Sequence, residues 1–211
     1  MIPFYESDLE STMPVIGITG GISTGKTSFC DCLREIIPGR FFDADAAAHK
    51  LSNEDPAIKE AIRREFGAEI YSSAGDLNRR LLRSIVFADA GKKRALEQIL
   101  HPPIRRQWSL EAKEAQNAPD FFFADIPLLY ETDGDTLCDR VVVVACAYEI
   151  QLARLMKRTS LDRLIAGQMI AAQMPLTEKI GRADHVVWNN GDRTVLAAQA
   201  KLLAAFWRKI G

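Results

Sequence analysis

Short apolar runs alternate along the chain with stretches whose apolar residues recur every three to four positions, and that alternation predicts the elements. Residues 14–19 (PVIGIT) form an apolar run that ends in glycines, the pattern of a strand buried in a parallel sheet. Residues 26–36 (KTSFCDCLREI) have the spacing of an amphipathic helix, stopped by Pro38 and Gly39. RFFDAD follows as a second strand with acidic residues at its C-terminal end. DFFFADI, DRVVVVACA and HVVWNNG supply three more strands, separated by helical patterns, and a last helix spans about residues 193–207. About residues 55–115 are helical and charged, with no strand candidate.

Strands alternating with helices imply βαβ units and a parallel sheet covered on both faces. The strandless block reads as a helical insertion that caps the core or binds substrate. The expected fold is therefore α/β, with core segments at 14–54 and 116–211 and the insertion at about 55–115. Residues 1–13 lie ahead of the first strand. They are acidic, have no basic start followed by an apolar core, and read as a short disordered leader, with Met13 a candidate start.

Composition narrows the class. Lys and Arg number 27 against 28 Asp and Glu, so the net charge is −1, which argues against a nucleic-acid-coating protein. No apolar run approaches the roughly 20 residues that span a bilayer. Cys30, Cys32, Cys138 and Cys146 form no CxxC pair, and the histidines are scattered, so a zinc site is not expected. Cys30 and Cys32, two apart on a helix, should point to different faces, and all four read as reduced cysteines of a cytoplasmic protein.

The chemistry enters at residues 20–27. Gly20, Gly21, Ile22, Ser23, Thr24, Gly25, Lys26 and Thr27 fit GxxxxGK[ST] between a strand and a helix, the setting of a phosphate-binding P-loop. The glycines let the backbone wrap phosphates closely, and the helix N-terminus adds its positive end. Lys26 can reach the β- and γ-phosphates of ATP from the mouth of a solvated loop, and the Thr27 hydroxyl can ligate Mg²⁺. A GTPase needs DxxG and NKxD; no aspartate precedes a glycine by three positions, and NNGD at 189–192 lacks the lysine. The chain is too short for a motor ATPase, which leaves a small-molecule kinase.

Such a kinase needs a proton acceptor beside the incoming hydroxyl. Asp43 and Asp45 end the second strand at the same sheet edge as the P-loop, and strand alternation would aim both the same way. Either could face the phosphates, or Asp45 could cap the following AAAHKL helix instead. Asp125, ending FFFAD, has the form of a Walker B acid that positions Mg²⁺. Arg154, Arg158 and Arg163 punctuate the helical stretch after VVVVA, as in the lids of small kinases.

The succession GITGGISTGKT, FFDADAAAHKL, GDLNRRLLRSIVF, LHPPI, DIPLLYE, QLARLMKR, IAAQMP and NNGD resembles the dephospho-CoA kinase family across residues 14 to about 207. The resemblance implies a three-layer P-loop NTPase fold, with the insertion as a CoA domain and a helical lid at about 155–182. It implies transfer of the ATP γ-phosphate to the 3′-hydroxyl of dephospho-CoA, the last step of coenzyme A synthesis. Asp45 would be the base, with Lys26 and Arg158 stabilising the phosphoryl group. Asn190, in the NNG turn, would lie near adenine. His101, Pro127, Leu128, Leu129 and Glu131 would meet the acceptor, and Thr27 and Asp125 would hold Mg²⁺. The implied partners are the two small substrates, with neither nucleic acid nor membrane, in a cytoplasmic monomer or homo-oligomer such as a trimer. Ser23 departs from the family's usual glycine and should tighten the loop; Thr159 stands where the lid usually has Gly or Asp.

Overall fold

A computed structural model describes residues 14–115 and 120–209; the expected leader lies outside them. Five parallel strands form one sheet in the order β2-β3-β1-β4-β5. They are β1 (Val15–Gly20), β2 (Gly39–Asp43), β3 (Phe121–Asp125), β4 (Arg140–Ala145) and β5 (His185–Trp188). α1 (Lys26–Arg34) joins β1 to β2, α6 (Tyr148–Thr159), α7 (Arg163–Ala171) and α8 (Leu176–Arg182) join β4 to β5, and α9 (Arg193–Trp207) closes the chain.

Alternation along the central strands sorts their side chains into two cores. Ile16, Ile18, Phe121, Phe123, Val142 and Val144 pack with Phe29 and Leu33 of α1 and with Leu196 and Trp207 of α9. Val15, Phe122, Ala124, Val141 and Val143 face the other way, against Trp108 and Ala112. With apolar residues on both faces, the strands read as unbroken hydrophobic runs, as a doubly covered parallel sheet requires. Cys30 and Cys32, expected on different faces of the helix, are both fully buried. α1 is sandwiched between sheet and α9, so opposite sides of it are both interior.

The stretch between β2 and β3 is helical: α2 (Ala44–Glu54), α3 (Pro56–Phe66), α4 (Arg79–Ala88) and α5 (Ala90–Ala115), with a 3-10 turn at Ala68–Ile70. Ile62, Phe66, Ile70, Tyr71, Leu77 and Leu82 gather there into a separate apolar cluster. Asp55 caps α3 through the amides of Ala57 and Ile58, and Asn78 caps α4 through Leu81. Four elements therefore converge at the C-terminal edge of the sheet: the turn after β1, the β2–α2 junction, the end of β3, and the helices after β4. Ligands of open α/β sheets bind at this edge.

Candidate active site

The turn from β1 into α1 is held open by its backbone. Gly25 is the N-cap of α1 at φ +95°, with no side-chain hydrogen bond to the first-turn amides. Those N–H groups remain free to meet an anion, with the helix dipole behind them. A Cβ on Gly25 would stand 2.0 Å from Asn189 Nδ2, so no other residue fits there. Ser23 adopts φ +59°, in the left-handed region that favours glycine, and its buried Oγ has no hydrogen-bond partner. Ser23 therefore holds this conformation at a cost that glycine would not carry.

Side chains from distant elements grip the loop from outside. Gln151 Nε2 donates to Ile22 O at 2.8 Å, and Ile22 N donates to Gln173 Oε1 at 2.8 Å. Asn189 Nδ2 donates to Thr24 O at 2.8 Å, joined by Arg154 Nη1 at 3.4 Å. Asn190, expected near adenine, accepts the N–H of Ala147 at 2.7 Å with its Oδ1. Of the two asparagines after β5, Asn189 is the one bonded to the loop.

Lys26 extends from the start of α1 to an ion pair with Asp125 at the end of β3. Both side chains are largely buried, so Lys26 is less exposed than a solvated loop mouth implies. The second carboxylate oxygen of Asp125 accepts from Cys30 Sγ at 3.4 Å. Asp43 and Asp125 are register partners across β2 and β3, so two carboxylates lie side by side at the edge.

The strand expected at RFFDAD stops at Asp43, and α2 begins at Ala44. Strand alternation therefore does not relate the two acids. Asp43 Oδ1 accepts the amide of Ala46 at 2.9 Å and is the N-cap; Asp45 lies in the first turn, open to solvent on one side. On its inner side partial desolvation raises the Asp45 carboxyl above the ordinary aspartate range. Lys26 opposes that rise, Asp43 and Asp125 add to it, and Arg158 opposes it. These five charges thus share one electrostatic neighbourhood, which makes Asp45 a candidate for chemistry.

The sequence matches the dephospho-CoA kinase family profile over residues 14–194. A curated dephospho-CoA kinase of Anaeromyxobacter dehalogenans is 44% identical over 195 residues, covering 92% of both chains. The chain belongs to the dephospho-CoA kinase family. A crystal structure from Thermus thermophilus superposes with a TM-score of 0.73 at 31% identity, covering 94% of this chain and 98% of that one. The dephospho-CoA kinase from Campylobacter jejuni has the same fold, with a TM-score of 0.65 at 22% identity over 92% and 97% of the two chains.

Four further features of this dephospho-CoA kinase family member bear on the site. Arg158 stands near the end of α6 with no hydrogen bond or ion pair among the described residues, whereas Arg163 is committed to Glu149 at 2.8 Å. Pro127 and Leu128 are partly open, but Leu129 is fully buried in the core. It supports the 127–131 turn from behind and cannot line a cleft. Glu131 is tied to Lys179 Nζ at 2.9 Å and accepts the amide of Met174 at 3.1 Å. His101 is half-buried in α5, ahead of Pro102 and Pro103, and desolvation lowers its pKa against the pull of Glu97.

Sequence reasoning did not find Gln151, Gln173, Asn189 or Lys179. Each pairs with backbone far away in the chain, and no local motif encodes such a contact. Only the doubled asparagine before Gly191 carried a signal.

Proposed function

We propose that this kinase transfers the γ-phosphate of ATP to the 3′-hydroxyl of dephospho-CoA, with Asp45 accepting the proton. The observation that carries this reading is that Asp43 takes the capping role, leaving Asp45 uncommitted beside Lys26, Asp125 and Arg158. The 3′-oxygen attacks the γ-phosphorus, the bond from that phosphorus to the bridging oxygen of ADP breaks, and the hydroxyl proton passes to the Asp45 carboxylate. A ribose hydroxyl is a weak nucleophile at neutral pH, so an oriented carboxylate accelerates its attack. Lys26 leaves Asp125 for the phosphates when ATP enters, and Arg158 adds charge to the transferring group. The free amides of the first turn of α1 hold the donor phosphates. Pro127 and Leu128 border the acceptor, and His101 faces it from the helical insertion.

Among the described residues no group of three or more His, Cys, Asp or Glu side chains could hold a metal. That fits Mg²⁺ carried mainly by phosphates and water, with Thr27 and Asp125 as its protein oxygens. When bound it neutralises charge on the phosphates. The four cysteines are unpaired. That pattern and the family membership support a cytoplasmic location.

Incubation with ATP and dephospho-CoA should release ADP and yield a product heavier by one phosphate at the 3′ position. Shikimate and nucleoside monophosphates should give no turnover. Phosphorylation of one of these in preference to dephospho-CoA would overturn the reading.

A further inference from the structure

Lys179 is the one lysine among the buried residues described, and its side chain is fully enclosed. Enclosing an ammonium is costly unless every donor finds an acceptor. Here Nζ donates to Pro127 O at 2.9 Å, to Gly20 O at 3.4 Å and to the Glu131 carboxylate at 3.0 Å. All three ammonium hydrogens are thereby used. The acceptors come from opposite sides of the reaction. Gly20 is the first glycine of the phosphate loop, Pro127 the first residue of the turn read as the acceptor cleft, and Glu131 the last.

We infer that Lys179 is a positioning residue for phosphoryl transfer, fastening the donor loop and the acceptor turn to a single point at a fixed separation. The segment that delivers it is tied to the same two parts: Gln173 accepts the Ile22 amide, and the Met174 amide donates to Glu131. The stretch from Gln173 to Lys179 therefore bridges donor and acceptor at both ends. Removal of the ammonium leaves two carbonyl dipoles and a carboxylate facing one another, with the β1–β3 pairing and the Thr19 Oγ1 bond to Pro127 O at 3.0 Å as the links that remain, and the spacing of the two sides loosens. In-line transfer depends steeply on that spacing, since a displacement of about 1 Å can cost about 10²-fold.

A purely structural lysine has the same burial but different kinetics, and the inference rests on the 127–131 turn being the acceptor cleft. The test compares the parent kinase with Lys179→Met and with the double variant Lys179→Met/Glu131→Leu. The double variant leaves neither charge buried alone and guards against a failure to fold. The measurements are melting temperature, the Kd of a non-hydrolysable ATP analogue, kcat and KM for dephospho-CoA, and the ratio of ADP released to CoA formed. The expected result is a kcat lowered by roughly 10–10²-fold in both variants, with analogue affinity within about threefold and surplus ADP from transfer to water. A kcat within about threefold of the parent in either folded variant overturns the inference, as does a loss that weaker ATP binding accounts for. A parent that does not phosphorylate dephospho-CoA refutes the acceptor assignment instead, a different failure.

Discussion

Asp43 accepts the backbone N–H of Ala46 at 2.9 Å and so relieves Asp45, two residues on, of any capping duty. The sequence offered the cap to Asp45, and the structure gives it to Asp43. Asp45→Asn should therefore lower kcat by about 10²–10⁴-fold, the usual worth of general-base assistance, with little change in ATP affinity. Asp43→Ala should instead cost about 1 kcal/mol of stability through the lost cap. Steady-state kinetics and thermal melts of the two variants side by side check the division.

The direction of the Asp45 shift predicts a pH dependence. Burial, with Asp43 and Asp125 adding to it, raises this carboxyl, and only its ionised form accepts a proton. The acid limb of the kcat profile should lie above the ordinary aspartate range and should be absent from Asp45→Asn. Stability runs the other way. A carboxyl whose pKa is higher folded than unfolded contributes stability at low pH, and that contribution is lost as pH rises through the raised value. Without nucleotide, Asp45→Asn should thus melt above the parent at neutral pH and level with it in acid.

Lys26→Ala should nearly abolish turnover by removing the charge aimed at the phosphates. It should also destabilise the free protein, because Asp125 is buried and would lose its countercharge. A cost of about 1–3 kcal/mol is expected for a buried acceptor left short of a donor. Urea unfolding without nucleotide measures it.

Ser23→Gly should stabilise. Relief from a left-handed φ is worth about 1–2 kcal/mol, against a loss of about 0.4–1 kcal/mol from the freer unfolded chain. The substitution also removes a buried hydroxyl that has no partner. A melting temperature raised by a few degrees is the expected reading for a chain of this size.

Arg158→Ala should reduce kcat by about 10²-fold or more while leaving the melting temperature unchanged. Among the described residues Arg158 has no hydrogen bond or ion pair that the folded state would lose, whereas Arg163→Ala should break only its exposed pair with Glu149. Parallel assays of the two variants distinguish them.

The apolar runs located all five strands, and FFFAD and VVVVA were legible because strands covered on both faces must be continuously hydrophobic. The phosphate loop was legible because its glycines and lysine answer a local demand. The boundary inside RFFDAD was not. Strand and helix propensities overlap there, and only the capping bond to Ala46 decides where α2 starts. Leu129 has the apolar character of a cleft residue and of a core residue alike, and tertiary packing chose the core. Lys179 sits in an ordinary charged helical stretch, and nothing local announces that three acceptors converge on it.

The two hydrogen bonds at Ile22 have an outcome for the thermodynamics of ligation. Its N–H and C=O are both taken by glutamines, one from the helix preceding α7 and one from the turn following it. Ile22 therefore cannot rotate without breaking both bonds, and the loop is cast in shape while the chain folds. The entropy of ordering it is spent at that stage, and the arriving triphosphate meets a mould already set.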